Sequence, residues 1–222
     1  MQTSSSQARE SVAPQVRTRE VALGNDLAVL TEIYRPNVNI AIWQRRLGPE
    51  VDTAAQALLE SDCTIEFGKV VAPKAVASVL SHDVPELPNA LTADVAELFD
   101  TFCCLFDLKE AGLRLRTLDR AMCPKFHVDR VPCRLISTYG GVGTEWLRHE
   151  HVDRSRLGPS GPAKATGHPP AYSDERDIQT IECGHVGLMK GEAWPGNEGA
   201  GLVHRSPTVE SGLRRLLLTI DF

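Results

Sequence analysis

Residues 123–139, CPKFHVDRVPCRLISTY, predict a strand and a metal site next to each other. The second half, residues 133–139, alternates along its length and follows a proline, which favours a strand that begins there. His127 and Asp129 stand just before it. On extended backbone, residues two apart point to the same side, so this imidazole and this carboxylate reach one point together. They supply two of the three ligands of a facial triad for a divalent metal.

The third ligand of such a triad has to come from another strand. His204 is the leading candidate, because it ends the short apolar segment GLVH, residues 201–204. Ten residues later Arg214 stands near the start of a final strand, residues 213–222, where it can face the same cavity. Arginine holds a carboxylate with two parallel hydrogen bonds, which suits a chelating 2-oxo acid. Arg215 lies beside it, and a one-residue shift of register would exchange the two.

Other polar side chains offer alternatives. Tyr139 is expected to donate its hydroxyl to a bound carboxylate. A second His-x-Asp pair, His151 and Asp153, lies in residues 148–177, a polar stretch with almost no hydrophobic periodicity. Such a long loop is usually a lid or a binding loop, so a preorganised ligand pair is less expected there.

Each proposed ligand also has an ordinary structural interpretation. His127 and Asp129 suit a surface ion pair or a strand-end cap. His204 suits a core histidine with its hydrogen bonds satisfied, and Arg214 an exposed charge on an edge strand. The six cysteines form no CxxC pair, so reduced thiols are more expected than disulfides or a zinc ribbon.

The remaining pattern divides the chain at Gly112. Before it, the spacing favours helices at 26–35, 52–60, 73–81 and 91–107, with strands at 38–43 and 64–67. After it, short strands separated by Gly and Pro predict a β-sandwich or barrel. These later strands are 113–119, 133–139, 178–182, 186–190, 201–204 and 213–222.

Three regions follow from this division. Residues 1–19 are predicted to be a disordered or loosely attached tail, and residues 20–112 a mostly helical support with one or two strands. Residues 113–222 form the metal-binding β region, with 148–177 as its insertion. The charge divides in the same way: residues 1–112 carry 9 Lys and Arg against 16 Asp and Glu, whereas residues 113–222 carry 15 against 13.

Composition argues against several classes of protein. The net charge of −5 opposes a general nucleic-acid binder, which needs a basic face. The chain contains no run of about 18 apolar residues, so a membrane-spanning helix is not expected. The first 20 residues have no apolar segment of the secretory type, so a cytoplasmic protein is expected. The substrate, whether a small molecule or a protein, stays open.

The order His-x-Asp, distant His and Arg resembles the Fe(II)/2-oxoglutarate-dependent dioxygenases, and the tail HRSPTVESGLRR resembles their prolyl-hydroxylase-like branch. The resemblance covers roughly residues 113–222. It implies an α+β fold whose C-terminal part is a double-stranded β-helix, a cupin-like jelly roll. It also implies Fe(II) on His127, Asp129 and His204, with 2-oxoglutarate on Arg214. The separation of 77 positions between the two histidines exceeds what a compact jelly roll needs, and the insertion accounts for about 30 of them.

The stretches FHVDRVPCRL, GTEWL and LVHRSP resemble an uncharacterised bacterial family known as a domain of unknown function. That resemblance implies a link to metal homeostasis and to partners in it. Two alternatives therefore stay open beside the oxygenase: a non-catalytic zinc-binding protein, and a cupin-like metalloenzyme without an oxo acid. Ordinary cupins favour three or four histidines, so Asp129 counts against the last.

Overall fold

The computed structural model describes residues 18–157 and 170–222, and within these ranges the chain forms ten strands and three α-helices. The predicted tail, residues 1–19, lies almost wholly outside them, as does the middle of the predicted lid. The helices are α1 (Pro49–Glu60), α2 (Val76–Asp83) and α3 (Asn89–Phe106). The strands are β1 (Glu20–Gly24), β2 (Val38–Trp43), β3 (Glu66–Val71), β4 (Ala111–Leu118), β5 (Cys133–Gly140), β6 (Thr144–Leu147), β7 (Ile178–Ile181), β8 (Val186–Lys190), β9 (Val203–Arg205) and β10 (Arg215–Asp221).

Two sheets of unequal size hold these strands. The large sheet has the order β1-β2-β8-β5-β10-β4-β3 and is antiparallel except for the parallel pair β1 and β2. The small sheet has the order β7-β6-β9, and an antiparallel bridge between His127 and His204 adds one more segment beside β9. From β4 onward the chain passes repeatedly between the two sheets. This path brings the segment before β5 next to β9.

The two sheets pack on each other through an apolar cluster with members from both. Its buried residues are Ile40, Ile42, Ile136, Trp146, Ile181, Met189, Leu202 and Leu217. The helices cover the opposite face of the large sheet. There the apolar side of α3, at helical spacing, joins a second and larger cluster. The large sheet is therefore buried on both faces.

Alternation along β10 decides which of its side chains enter the space between the sheets. Leu216, Leu218 and Ile220 belong to the cluster under the helices. Leu217 belongs to the cluster between the sheets. Because side chains alternate along a strand, Arg215 shares the inner side with Leu217.

The N-terminal part contributes more strand than the sequence predicts. Residues 20–112 hold β1, β2 and β3, which extend the large sheet at both edges, as well as the start of β4. The segment predicted as a helix at 26–35 forms a 3-10 helix, Leu27–Tyr34, with Asp26 accepting a hydrogen bond from the Ala28 amide. In the described ranges no helix is both long and apolar enough to cross a bilayer.

Candidate metal centre

His127 and His204 are held side by side by their backbones. The N–H of each residue donates to the carbonyl of the other, both at 3.0 Å. Residues directly opposite each other in an antiparallel pair project from the same face, so the two imidazoles meet, with 4.5 Å between ring centroids. Strand register thus brings together two side chains that are 77 positions apart.

Each ring is also oriented by a carbonyl two residues before it. Nδ1 of His127 lies 2.9 Å from the Lys125 carbonyl oxygen, and Nδ1 of His204 lies 3.2 Å from that of Leu202. A neutral imidazole that donates from Nδ1 keeps Nε2 as an acceptor. Metal-binding histidines commonly use this arrangement, so both Nε2 atoms are available as ligands.

Asp129 completes the cluster. One donor atom from each of His127, Asp129 and His204 lies within 4.8 Å of the others. Oδ2 of Asp129 is 3.4 Å from Nε2 of His204. Nη1 of Arg134 lies 2.7 Å from the same oxygen, but this oxygen is buried and receives no properly directed hydrogen bond from the described residues. A carboxylate oxygen that lies beside the Nε2 of His204 and is paired only by the charge of Arg134 fits a bound cation.

Burial sets the protonation of His204, whose exposed fraction is 5%. Desolvation lowers the pKa of this imidazole well below its ordinary value, and the neighbouring His127 acts in the same direction, while Asp129 opposes both. His204 is therefore neutral at pH 7, which is the form that binds a metal. Two imidazoles and one carboxylate are a donor set that suits non-haem Fe(II) and also zinc.

Arg214 is not part of this cluster. Its guanidinium donates to the carbonyls of Ser61 and Cys63, in the turn that follows α1. The residue precedes β10, so its side chain leaves the sheet and crosses to that turn. The geometry gives Arg214 a structural contact and no approach to the histidines.

Arg215 occupies the interior instead, with an exposed fraction of 0%. Its Nη2 donates to the hydroxyls of Thr138 on β5, at 3.1 Å, and Thr144 on β6, at 3.0 Å. Its Nε and Nη1 are buried without a hydrogen-bond partner among the described residues. Burial lowers the pKa of Arg215 to about 10, with Glu145 opposing, so the group remains a cation at pH 7. A buried cation with unmatched donors indicates an anionic ligand.

Arg215 and the metal cluster face the same interior. Thr144 and Trp146 lie two residues apart on β6 and so project from one face, and Trp146 pairs with His204 across the strands. The indole Nε1 of Trp146 is also buried without a partner among the described residues. Arg215, Trp146 and His204 therefore project into the layer between the two sheets, where Arg215 and Trp146 keep donors without a partner among the described residues.

Tyr139 lies on the other face of β5. Its hydroxyl donates to Oδ2 of Asp94 at 2.6 Å, and Asp94 also receives two hydrogen bonds from Arg45. Burial and the nearby Asp94 carboxylate raise the pKa of Tyr139 well above its ordinary value. This hydroxyl joins the large sheet to α3, and the geometry does not bring it to the metal cluster.

The second His-x-Asp pair is separated in the structure. Nδ1 of His151 lies 3.0 Å from Asp177, while Asp153 pairs with Arg156 at 2.8 Å. Among residues 18–157 and 170–222, the metal-type cluster of histidine and acid side chains is the one at His127. All six cysteines are free thiols.

Arg134 is a site residue that motif spacing does not identify. It stands on β5 beside Asp129, and its Nε and Nη2 donate to Asp221 at 3.0 and 2.7 Å. Arg114 donates to the same Asp221 carboxylate at 2.9 and 2.8 Å. In the sequence, Arg134 stands near the start of one predicted strand and Asp221 near the end of another. These positions identify an ion pair only once the antiparallel pairing of β5 with β10 is known.

The fold and the candidate site together define a class of protein. Its members are α+β proteins with two packed sheets and a His-Asp-His cluster between the sheets. The sequence model of the family described as "Protein of unknown function (DUF1826)" matches residues 24–221. The chain therefore belongs to that family. No curated protein matches it.

Similar solved structures are Fe(II)/2-oxoglutarate oxygenases at low sequence identity. A dioxygenase for auxin oxidation from rice is 11% identical with a TM-score of 0.39, and the match covers 79% of this chain but 64% of the rice protein. A Pseudomonas putida prolyl-4-hydroxylase is 12% identical with a TM-score of 0.41, covering 88% and 96% of the two chains. An oxidoreductase of the 2OG-Fe(II) oxygenase family from Burkholderia pseudomallei is 11% identical with a TM-score of 0.41, covering 87% of each. These likenesses are distant and concern the fold.

Proposed function

We propose that this protein is an Fe(II)- and 2-oxoglutarate-dependent oxygenase of the hydroxylase type. One observation carries the proposal: a His-Asp-His cluster and a buried arginine with unmatched donors face the same interior. His127, Asp129 and His204 would hold the iron. Arg215 would bind the distant carboxylate of the oxo acid, in the role that motif spacing assigns to Arg214. The passage of strands between the two sheets would then be a double-stranded β-helix.

The residues around the interior have separate tasks in this proposal. The Nη2 of Arg215 stays on the hydroxyls of Thr138 and Thr144, which fixes the plane of the guanidinium. Its Nη1 would then donate a charge-assisted hydrogen bond to the carboxylate, while Nε points to another side of the guanidinium and would donate to a separate acceptor. Trp146 supplies one more donor. The apolar cluster between the sheets would keep water from the side of the centre that faces Arg215.

Fe(II) bound together with the oxo acid would supply the reaction with O₂ that oxidises the substrate. The chain's own contribution is to keep the three ligands on one side of the metal. The backbone bridge fixes the two histidines, and the Arg134 ion pair fixes Asp129. The positions not taken by protein remain for the oxo acid and O₂.

The two alternative functions leave the buried arginine of the interior unexplained. A zinc-binding protein of metal homeostasis would use the same three ligands, and so would a cupin-like metalloenzyme without an oxo acid. Neither gives a reason for a buried guanidinium whose Nε and Nη1 have no partner. Elemental analysis of protein purified without added metal separates them: stoichiometric zinc together with no binding of 2-oxoglutarate would favour the zinc protein.

A pair of adjacent arginines provides the test. Anaerobic Fe(II) and 2-oxoglutarate are expected to give a weak visible charge-transfer band, which His127→Ala abolishes. Arg215→Met should raise the 2-oxoglutarate concentration that gives a half-maximal band at least 10-fold, because the buried cation and its charge-assisted hydrogen bond to the carboxylate are lost. Arg214→Met removes the same charge one residue away and should leave that concentration unchanged.

Two control measurements accompany this test. Fe(II) binding without oxo acid should be equal in both arginine variants, and thermal unfolding should show that both are folded. Absence of any band in the wild type would contradict the oxygenase. A band that is lost with Arg214→Met and kept with Arg215→Met would return the carboxylate to Arg214.

A further inference from the structure

A pocket of about 1010 Å³ adjoins the metal cluster on the side of His127. This volume is at the upper end of the range for small-molecule sites, which is roughly 300–1,000 Å³. His127 is both a lining residue of the pocket and a member of the cluster. A molecule in the pocket therefore lies beside one of the three proposed metal ligands.

Basic groups dominate the charge of this pocket. Lys125, Arg130 and Arg154 line it together with a single carboxylate, Glu192. The whole chain carries a net charge of −5, so a basic pocket beside the metal cluster departs from the average surface. Clefts lined by one sign of charge concentrate ligands of the opposite sign.

The single carboxylate does not neutralise these cations. Its nearest arginine contact is 3.9 Å, from Glu192 to Nη1 of Arg154, and its other oxygen accepts from the Gly199 amide at 3.0 Å. Nε of Arg154 is buried and has no hydrogen-bond partner in the described ranges. Arg130 is exposed and makes no hydrogen bond or ion pair with the residues described. Nη2 of Arg154 already donates to the Gly201 carbonyl at 2.7 Å, so Arg130 offers an anion its whole guanidinium and Arg154 offers its remaining donors.

The rest of the lining is apolar. Pro124, Val128, Leu157 and Ala193 contribute to the same wall. A ligand that fills the pocket would cover these side chains with hydrocarbon and place its charge at the arginines. Small inorganic anions would leave this apolar surface exposed to water, which is unfavourable at roughly 25 cal/mol per Å².

We infer that the pocket binds a small organic anion with an apolar portion, and that this is the class of substrate presented to the metal centre. The second half of the inference rests on the proposed oxygenase function, whereas the binding itself does not. Arg130 and Arg154 would bind the anionic group, and the apolar wall would bind the remainder. The part of the molecule to be oxidised would then lie toward His127.

A matched pair of probes tests the binding. 4-Phenylbutyrate and 4-phenylbutylammonium share a phenyl ring and a four-carbon chain but carry opposite charges. Isothermal titration of the full-length protein, with and without Zn(II), is expected to show that the carboxylate binds at least 10-fold more tightly than the ammonium. Equal affinities, or tighter binding of the ammonium, would overturn the inference.

Arginine variants locate the binding. Arg130→Gln should weaken 4-phenylbutyrate binding about fivefold, and the double variant with Arg154→Gln at least 20-fold. Arg46→Gln is the control, because Arg46 is exposed, makes no ion pair with the described residues and lies outside the pocket. Weakening by the control equal to that of Arg130→Gln would overturn the assignment, since it would reduce the effect to net charge.

A third titration distinguishes a small organic anion from an acidic polypeptide as the ligand of the pocket. An acidic hexapeptide with one leucine is titrated in the same way, and weaker binding than 4-phenylbutyrate supports the small anion. Binding at least 10-fold tighter would overturn it in favour of a peptide. These measurements need neither iron nor 2-oxoglutarate, so failure here leaves the oxygenase proposal standing. Conversely, loss of the charge-transfer band would not remove the binding.

Discussion

Arg134 orients the carboxylate of Asp129 through the 2.7 Å ion pair between Nη1 and Oδ2. The guanidinium is itself held, because Asp221 accepts from its Nε and Nη2 and also from Arg114. Groups that orient a metal ligand usually matter almost as much as the ligand. At the scale of the residue, the candidate site is thus a group of three possible metal ligands with one arginine paired to the acidic one.

Replacing Arg134 by glutamine is expected to weaken Co(II) binding by about 10- to 100-fold, because Asp129 loses the group that fixes its direction. The Co(II) absorption band, followed by titration, measures the affinity. Arg114→Gln is the matched control, since it removes the other arginine from Asp221 and leaves the Asp129 ion pair in place. Equal Co(II) affinity of wild type and Arg134→Gln would rule out the positioning role.

At the scale of the element, the end of β8 joins the large sheet to the 3-10 helix before β2. Lys190, exposed by 1%, donates from Nζ to the Arg35 carbonyl at 2.8 Å. Its ammonium lies 4.7 Å from the centre of the Trp194 ring. No carboxylate in the described ranges pairs with it. Burial, with a smaller effect of Arg19, lowers the pKa of Lys190 from 10.5 to about 8.

This lysine should make stability rise with pH in alkaline solution. The folded chain releases the Lys190 proton near pH 8 and the unfolded chain near 10.5, so the unfolded state binds more protons in between. Between pH 8 and 10.5, the contribution of Lys190 to the free energy of unfolding rises by at most about 1.4 kcal/mol per pH unit. Below pH 8 the full cost of the buried charge is present, and above 10.5 it is gone.

Urea unfolding of wild type and Lys190→Met at pH 7.5, 8.5 and 9.5 measures the effect, with cysteine and tyrosine titration cancelling in the difference. The stability advantage of Lys190→Met should shrink as the pH rises. A difference between the two proteins that stays constant with pH would show that the ammonium is not responsible.

Elements with a strong pattern could be predicted from the sequence, and short ones could not. The helix predicted at 91–107 is observed as Asn89–Phe106, and the strand predicted at 38–43 is observed as Val38–Trp43. The helix repeats its apolar spacing over several turns, and the strand alternates over all six of its residues. β1 and β6 were not predicted: five and four residues with a glutamate in each carry no clear alternation. They are strands because neighbouring strands supply their hydrogen bonds.

The same limit applies to the site. His127, Asp129 and His204 could be proposed from spacing, because a His-x-Asp pair and a strand-end histidine are local features. Motif spacing selects Arg214, whereas Arg215 is the arginine that lies in the interior of the structure. The register is not visible in the sequence, because both arginines precede the apolar run Leu216, Leu217 and Leu218. A strand buried on both faces has no polar side to mark its register. Packing against the helices decides it.

At the scale of the whole molecule, the segment that carries His127 is joined to the small sheet by few backbone hydrogen bonds. An isolated bridge to His204 joins it to β9, whereas β6 pairs with β7 through four residue pairs. A metal on both histidines would tie this segment to the sheet by a second kind of bond. Metal binding should therefore affect the stability of the fold as well as its chemistry.

Zn(II) at 100 times its dissociation constant should stabilise the protein by about 2.7 kcal/mol. For a domain of this size that corresponds to a rise in Tm of about 5–10 °C. Hydrogen exchange at the amides of His127 and His204 should slow in parallel. Asp129→Asn keeps the shape of the side chain and should lose most of the shift in Tm. A shift of the same size in that variant would place the metal elsewhere.

The bridge between His127 and His204 also has a consequence for the order in which a cell makes this site. Ribosomes add about 5–20 residues per second, so the 77 positions between the histidines take on the order of 4–15 s. For that time His127 and Asp129 exist without their third partner, and Arg215 is made later still. A newly made chain can therefore complete this set of three ligands only after His204 has been added and has left the ribosome.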